Sequence, residues 1–356
     1  MAPLSEVLPS SPALNVVTIG GGTGLSSLLR GLKHHVVLHD GKAELPGPTV
    51  DHLTAVVTVT DDGGSSGRLR NEMGVPPPGD IRNCMTALSE DEALLSTLFQ
   101  YRFSCGQGLE GHSFGNLFLS ALADITGDFS EAVKLSSAIL KTRGDIYPST
   151  NALVQLDAEM DDGSRVRGET NITASKRRIV RLFLVPADAP PLPQTLKAIA
   201  EADLITVGPG SLFTSLVTNL LIPGIPEALV NSRALRVYIC NLMTQANESL
   251  GLSASEHIKA LFKHSGQKIF DYALIHDGRL PAGVRAKYAA YGATPIEVDE
   301  ERIRDLGVEP IVGHYLDDSG LARHDSSRLA EEVLQLAARV GTPRRTSAGG
   351  TIWVDA

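Results

Sequence analysis

Two glycine-rich segments, each lying between a short apolar run and a helical pattern, carry residue types that bind phosphate. Glycines let backbone N–H groups approach an anion closely, and the following helix adds the positive end of its dipole. The first segment lacks the third glycine of the dinucleotide pattern GxGxxG, because Leu25 replaces it, and no GK[ST] follows. An ordinary tight turn is the alternative interpretation. The predicted phosphate-binding residues are Gly20, Gly21, Gly22, Thr23 and Gly24 in the first segment and Gly208, Gly210 and Ser211 in the second.

A pair of aspartates, Asp61 and Asp62, directly follows another apolar run at residues 53–60. Carboxylates at a strand end can hold a divalent cation, accept a proton from a hydroxyl or bind a ribose. A structural use is also open, in which the pair forms an Asx turn and a helix cap. Asp61 and Asp62 are therefore candidates for catalysis and for a metal site, and Mg²⁺ is the cofactor considered.

Two arginines near this pair are candidate phosphate ligands, because a guanidinium donates two parallel hydrogen bonds. Arg68 lies six residues after Asp62, and Arg82 lies in the first turn of a predicted helix. A cation at that end opposes the helix dipole, so Arg82 needs an anionic partner. The sequence allows either a ligand or a carboxylate of the protein itself.

Residues 111–115 read GHSFG and match the GxSxG pattern of serine hydrolases. In those enzymes a strand leads into the serine, whereas residues 104–110 are loop-like, so we interpret the motif as a helix start. Neutral side chains that both donate and accept suit a base or sugar, although they are equally common in plain polar loops. The candidates for a sugar, base or second ligand are Asn83, His112, Asn116, Asn241, Thr244 and Gln245.

The elements that must position these residues form an α/β pattern. Four apolar, β-rich runs each end in a glycine-rich or polar loop, as buried parallel strands do, and ligands bind at that edge of an open sheet. The runs lie at residues 16–19, 53–60, 202–207 and 235–240. Between the second and third runs, residues 80–100 and 115–140 show helical spacing, and residues 154–172 predict a hairpin with an Asp-Gly turn.

This arrangement predicts a Rossmann-like, mostly parallel sheet with helices on both faces and an inserted helical and hairpin section at roughly residues 80–180. We expect a single domain at residues 15–340, an N-terminal tail at 1–14 and a C-terminal tail at 341–356. Later amphipathic helices are predicted at residues 255–263 and 327–340.

Composition favours a cytoplasmic globular protein. The 356 residues are 42% hydrophobic and carry a formal net charge of −9, which argues against disorder and against a nucleic-acid partner. Three cysteines without a CxxC motif favour a reducing compartment. The first residues show no signal-peptide pattern, and no apolar run approaches the roughly 20 residues of a membrane span, so we expect no stable membrane insertion.

Six motifs between residues 15 and 317 together resemble the bacterial gluconeogenesis factor family, a branch of the CofD-like superfamily. The resemblance implies a Rossmann-like fold and a cytoplasmic protein that is needed for normal cell shape during gluconeogenic growth. It also implies binding of a UDP-sugar, notably UDP-N-acetylglucosamine. The motifs are VTIGGGTGLSSLLRGLK, VTVTDDGGSSGRLR, PPPGDIRNC, EGHSFGNL, VGPGSLFTSLVTNLLIPGI and NLMTQANES.

The sister branch, 2-phospho-L-lactate transferase, transfers a phosphorylated lactyl group with Mg²⁺, and Asp61 and Asp62 match its paired aspartates near the metal and acceptor. The following GGSSGRLR is similar to the gluconeogenesis branch instead, while Ala246 and Asn247 depart from its usual NxMTQxGET. The resemblance therefore predicts a sugar-nucleotide-binding factor, with a Mg²⁺-dependent phosphotransferase as the alternative. A homodimer and envelope-synthesis proteins are the further partners it suggests.

Overall fold

A seven-stranded parallel sheet, in the order β10-β9-β8-β7-β1-β2-β3, forms the centre of the protein. The computed structural model describes residues 13–37, 47–90, 93–175, 177–246, 248–341, 344–345 and 351–352. A smaller antiparallel sheet has the order β5-β4-β6. The strands are β1 (Leu14–Gly20), β2 (Val50–Val57), β3 (Asp145–Pro148), β4 (Gln155–Met160), β5 (Arg165–Arg167), β6 (Ile179–Val185), β7 (Leu204–Val207), β8 (Leu235–Ile239), β9 (Tyr272–His276), β10 (Glu309–Gly313), β11 (Arg344–Arg345) and β12 (Thr351–Ile352).

The strand order reverses between β1 and β7. The chain runs outward from β1 to β2 and β3, then returns to place β7 on the other side of β1 and continues outward to β10. Loops that leave two such strands diverge and open a crevice at the carboxyl edge of the sheet. The predicted Rossmann-like, mostly parallel sheet is therefore confirmed.

Helices cover the sheet, and every residue of β7 and β8 is buried. Such continuous burial requires cover on both faces of a parallel sheet. A 3₁₀ turn (Lys33–His35) follows α1, and a π-helical segment (Leu212–Val217) leads into α9. The helices are α1 (Gly22–Leu32), α2 (Gly64–Met73), α3 (Gly79–Leu88), α4 (Ala93–Gln100), α5 (Phe114–Thr126), α6 (Phe129–Ile139), α7 (Glu169–Ala174), α8 (Pro193–Glu201), α9 (Thr218–Leu220), α10 (Ile225–Asn231), α11 (Ala254–Ser265), α12 (Ala282–Ala289), α13 (Glu300–Asp305) and α14 (Ser326–Val340).

Four predicted elements have clearly different bounds in the structure. The strand expected over residues 53–60 is β2, which begins and ends three residues earlier. The helix expected over residues 80–100 is two helices, α3 and α4, and the one over 115–140 is α5 and α6. The second break follows from local chemistry, because Gly127 ends α5 with a φ of +68° and Asp128 caps α6 by accepting from the Glu131 N–H. The second strand of the predicted hairpin is only the short β5, which ends at Arg167, because α7 begins two residues later.

One segment bears on the expectation about membranes. Within the described residues, no single helix is long and apolar enough to cross a membrane. Leu212–Leu220 and Ile225–Asn231 meet the criterion of length and composition only as a pair, across a 75° bend. All residues of the first member are buried inside the protein.

Candidate functional site

The two predicted glycine loops line one pocket at the point where the strand order reverses. Gly21–Gly24 follow β1, Pro209–Ser211 follow β7, and the pocket between them holds about 660 Å³, a volume typical of small-molecule sites. We call it the switch-point pocket. Gly22 has a φ of +63°, a left-handed conformation that favours glycine at this turn.

The floor of the switch-point pocket is a close contact between the two loops. A Cβ atom on Gly24 would lie 2.5 Å from the Pro209 carbonyl oxygen, so only glycine lets the loops approach in this way. Behind them, Asn219 Nδ2 donates to the Gly20 carbonyl at 3.0 Å. The two loops therefore form one rigid unit, with the start of α1 in the first.

The polar residues after β8 brace the second loop. Asn241 Oδ1 accepts from the Gly210 N–H at 3.2 Å, and its Nδ2 donates to the Gly210 carbonyl at 2.7 Å. Gln245 Nε2 donates to Ser211 Oγ at 2.9 Å. Thr244 Oγ1 accepts from the Thr294 N–H at 2.9 Å. Asn241, Thr244 and Gln245 are three of the six predicted sugar or base ligands, and all three line the pocket. Their side chains, however, already hydrogen bond to other residues of the protein.

Two arginines on the rim give the switch-point pocket a positive character. Arg30, in the last turn of α1, and Arg323, before α14, are exposed and line the pocket, and no described residue hydrogen bonds to either guanidinium. The acidic lining residue is Asp317, whose Oδ1 accepts from Ser319 N and Oγ. Free guanidinium groups beside backbone N–H groups form a site for an anion.

Four carboxylates lie close together beneath the first glycine loop: Asp61, Asp62, Asp80 and Glu169, which we call the carboxylate cluster. Asp80 lies in the first turn of α3, and its carboxylate accepts a hydrogen bond from the Gly22 N–H. Pro78 occupies the N-cap position of that helix. The cluster therefore touches the pocket through the glycine loop.

Mutual repulsion and burial perturb this cluster. Burial and the charge of Asp61 raise the pKa of Asp80 to about 7, against the Gly22 hydrogen bond and the charge of Arg82. Burial and the charges of Asp61 and Asp80 raise the pKa of Glu169 to about 9. Perturbed carboxyl groups beside a pocket are a common property of functional sites.

Asp61 and Asp62 differ in the hydrogen bonds that their carboxylate groups accept. Asp62 Oδ1 accepts from Thr170 N at 2.8 Å and from Thr170 Oγ1 at 2.6 Å, so it anchors the start of α7. Asp61 Oδ1 accepts from the Gly63 N–H at 2.9 Å, and its Oδ2 faces Gly79. Carboxylate oxygens from Asp61, Asp80 and Glu169 match the hard ligands of Mg²⁺, which needs only one or two protein carboxylates beside a phosphate.

The other predicted residues lie between α2, α3 and α5 and outside the lining of the switch-point pocket. Ser65 Oγ hydrogen bonds to His112 Nδ1 at 2.9 Å and accepts from Asn116 Nδ2 at 3.2 Å. Arg68 Nη2 donates to the Glu110 carbonyl at 2.7 Å. These contacts hold the segment before α5, whose cap is Ser113, as expected for a helix start.

Arg82 and Asn83 pair with each other, since Arg82 Nη2 donates to Asn83 Oδ1 at 2.7 Å. Burial and the charge of Arg102 lower the pKa of Arg82, and the charges of Asp80 and Asp61 offset only part of this effect. Arg82 Nε is buried and has no hydrogen-bond partner among the described residues, and the same is true of Asn116 Oδ1. The sequence allowed either an anionic ligand or a carboxylate of the protein as the partner of Arg82. In the structure, the carboxylates of Asp80 and Asp61 lie near it.

A histidine and aspartate group lies at the far end of the carboxyl edge. His276, Asp277 and His314 are the only described residues whose metal-ligating atoms, in a group of three or more, lie within 4.8 Å of one another. Both nitrogens of His276 are engaged, since Nδ1 accepts from Tyr315 N and Nε2 lies 3.2 Å from the Arg279 carbonyl. We interpret the group as a hydrogen-bonded support for the strand ends, because His276 has no free lone pair for a metal.

Comparisons with known proteins agree with the geometry. A family model described as 2-phospho-L-lactate transferase CofD matches residues 16–316. The chain belongs to the CofD family. Gluconeogenesis factors of Halalkalibacterium halodurans and Bacillus subtilis are each 47% identical to it, over 94% and 90% of this chain and 98% and 97% of theirs. Within the family, it groups with these factors.

A solved crystal structure of a Bacillus halodurans protein superimposes with a TM-score of 0.85 at 47% identity. The match covers 91% of this chain and all of that one. The family's parallel sheet, with the crevice between β1 and β7, is therefore shared by a relative of known structure.

Several residues of the site carried no recognisable signal in the sequence. Tyr288, Arg323 and His324 line the switch-point pocket but lie in a helix and a loop without a motif. Arg30 also lines it and lies within the first family motif, but nothing in the sequence indicates that the end of α1 reaches the pocket. Glu169 falls inside the segment predicted as a hairpin strand. Only the strand order could have pointed to them, because it brings late parts of the chain beside β1.

Proposed function

We propose that this protein is a cytoplasmic sugar-nucleotide-binding factor that acts in cell-shape control during gluconeogenic growth. The observation that carries the proposal is the switch-point pocket, where two glycine loops and two free arginines face one another. A diphosphate would lie on the backbone N–H groups of the loops, with Arg30 and Arg323 at the rim. This arrangement offsets, locally, the net negative charge of the chain.

The identity of the sugar nucleotide rests on the family. The pocket volume suits a nucleoside diphosphate sugar, while the choice of uridine and of N-acetylglucosamine comes from the resemblance to gluconeogenesis factors. The cytoplasmic location is supported by Cys84, Cys105 and Cys240, which form no disulfide among themselves. A homodimer and envelope-synthesis partners remain predictions.

Calorimetric titration with UDP-N-acetylglucosamine tests the proposal. We expect saturable binding by the wild type and a loss of at least tenfold in Arg323→Gln, because about 1.5–3 kcal/mol attaches to a hydrogen bond with a charged donor. Arg233→Gln is the matched control, since Arg233 is exposed and precedes β8 at the opposite edge of the sheet. Absence of binding by the wild type at millimolar ligand contradicts the proposal.

The second candidate, a Mg²⁺-dependent phosphotransferase, is supported by the hydrogen bond between the carboxylate cluster and the first glycine loop. Asp61 with one neighbouring carboxylate, Asp80 or Glu169, would hold the cation, because the oxygens of all three do not lie within 4.8 Å of one another, and the cation would stabilise charge on a phosphoryl oxygen. Asp80 would fix the loop that carries the phosphate, while Asp62 would keep α7 and therefore Glu169 in position. Turnover of a nucleotide-linked donor that requires Mg²⁺ and disappears in Asp61→Asn distinguishes this candidate from a binding factor.

A further inference from the structure

His324 is held at the wall of the switch-point pocket by its own segment of backbone. Leu316 and His324 form an antiparallel bridge, and the Asp325 N–H donates to the Tyr315 carbonyl at 2.8 Å. The Ala322 N–H donates to Tyr288 Oη at 3.2 Å. The segment before α14 is therefore a closed turn that fixes where the imidazole lies.

The contact on one side of the ring determines its tautomer. His324 Nε2 lies 3.1 Å from the carbonyl oxygen of Cys240, and a carbonyl oxygen only accepts. The proton of the neutral ring is therefore on Nε2, and Nδ1 keeps its lone pair. Burial lowers the pKa of His324 to about 4, so the ring stays neutral around pH 7.

The other ring nitrogen has no partner in the described part of the chain. No described residue hydrogen bonds to Nδ1, and His324 lines the pocket. The pocket lining supplies donors, namely the loop N–H groups and the guanidiniums of Arg30 and Arg323, and also acceptors, namely Asp317 and several hydroxyl groups. The side chains of Asn241 and Gln245 already bind the second loop. His324 Nδ1 adds an acceptor that no described residue uses, and it can bind a donor group of the ligand but not its ionised phosphates.

We propose that His324 Nδ1 accepts a hydrogen bond from the bound nucleotide, so that the pocket selects ligands with an N–H or O–H donor at this point. The proposal rests on the proposed function, because it assumes that a sugar nucleotide occupies the switch-point pocket. Three parts of such a ligand offer that chemistry: the imide N–H of a uracil base, a hydroxyl group of the ribose, and the hydroxyl or acetamido N–H groups of the sugar.

Two substitutions separate ligand recognition from structural support. Gln at position 324 reaches the Cys240 carbonyl as Nε2 does but lacks an acceptor at the δ position, whereas Asn keeps a δ acceptor and loses the Cys240 contact. We expect His324→Gln to weaken UDP-N-acetylglucosamine binding about five- to tenfold and His324→Asn to weaken it less than about threefold. The control is His52→Asn, because His52 is exposed at the start of β2.

Ligand analogues identify the donor. UDP methylated at the imide nitrogen and 2′-deoxy-UDP each lack one donor of UDP, and UDP itself lacks the donors of the sugar. We expect one of these three to bind more weakly than the ligand from which it is derived. The same analogue should bind His324→Gln and the wild type equally, because the missing donor leaves nothing for Nδ1 to accept. Nitrogen NMR of histidine-labelled protein should show Nε2 protonated and the Nδ1 resonance shifted by the ligand.

The outcomes are distinct. Equal affinities of the Gln and Asn variants, a reversed order, or an Nδ1 resonance that the ligand does not shift would overturn the assignment of His324 while leaving the binding function intact. A wild type that binds no UDP or UDP-sugar would overturn both proposals.

Discussion

The carboxylate of Asp80 accepts a hydrogen bond from the backbone N–H of Gly22, which joins the carboxylate cluster to the first glycine loop. One of the N–H groups that could face an anion is thus used within the protein. Any cation or proton that reaches the cluster will act on the loop through this bond, because Gly22 is the first residue of α1.

The raised pKa values predict that stability falls with increasing pH. The folded state binds more protons than the unfolded chain between pH 3.8 and about 7 at Asp80, and between pH 4.5 and about 9 at Glu169. The free energy of unfolding therefore decreases across these ranges as pH rises. Urea unfolding from pH 5 to 9 should show a flatter dependence in Asp80→Asn and in Glu169→Gln. Asp124→Asn, on exposed α5 surface, should follow the wild-type curve.

The effect of Mg²⁺ on stability should depend on Asp61 but not on Asp62, although the sequence analysis considered the two together as one candidate metal site. We expect Mg²⁺ to raise the melting temperature more at pH 8 than at pH 6, because more of the cluster is ionised. Asp61→Asn should remove most of this increase. Asp62→Asn should retain it but lower the stability by about 1 kcal/mol, since Asp62 caps α7 through Thr170. An equal loss of the Mg²⁺ effect in both variants would contradict this division of roles.

Gly24→Ala tests the contact between the loops. Its methyl group would meet the Pro209 carbonyl oxygen at 2.5 Å, so the loops must separate at a cost of about 1–3 kcal/mol. We expect a lower melting temperature and at least tenfold weaker ligand binding by calorimetry. Gly20→Ala is the matched control, because the nearest atoms to its methyl group are side-chain carbons of Leu216 and Leu25 at 3.5 Å. A Gly24→Ala protein with wild-type affinity would show that the contact is dispensable.

If His112 and Asn116 support the segment before α5 rather than bind a ligand, their substitution should lower stability and leave ligand affinity nearly unchanged. His112→Phe removes the contact with Ser65 and should destabilise the protein by about 1–2 kcal/mol. Limited proteolysis should then cut faster within exposed residues 104–110, while affinity for UDP-N-acetylglucosamine changes less than about threefold. A large loss of affinity with unchanged proteolysis would restore His112 to the binding site.

Local patterns predicted the centre of the fold because its strands are short, apolar and followed by glycine. The strands at residues 16–19 and 235–240 are confirmed within two residues at either end. By contrast, β9 and β10 were not predicted, because YALIH and EPIVG are brief and no run of adjacent glycines follows either of them. The breaks at Ser89 and Gly127 divide helical patterns whose apolar spacing continues across them.

The lining of the pocket was predictable where a motif and a strand end coincide, as at Gly21–Gly24, Gly210 and Ser211, although the predicted Gly20 and Gly208 lie outside that lining. It was not predictable where a residue depends on distant packing. Nothing near Arg323 in the sequence indicates that it lines the same pocket as Gly21, and nothing near Glu169 indicates that Asp61 lies close to it. Conversely, Asn241 has a plausible ligand chemistry, but its amide is satisfied by Gly210, which only the folded chain reveals.

The switch-point pocket joins the first strand of the sheet to the segment just before α14. During synthesis, a nascent chain that has passed through β7 holds both glycine loops but lacks Arg323 and His324. Because chains of this size fold in stages and the contacts between distant segments come late, the pocket would be complete only after the segment before α14 has been synthesised. A sugar nucleotide bound there would then stabilise chains that contain this segment over chains that stop before it, which proteolysis would remove.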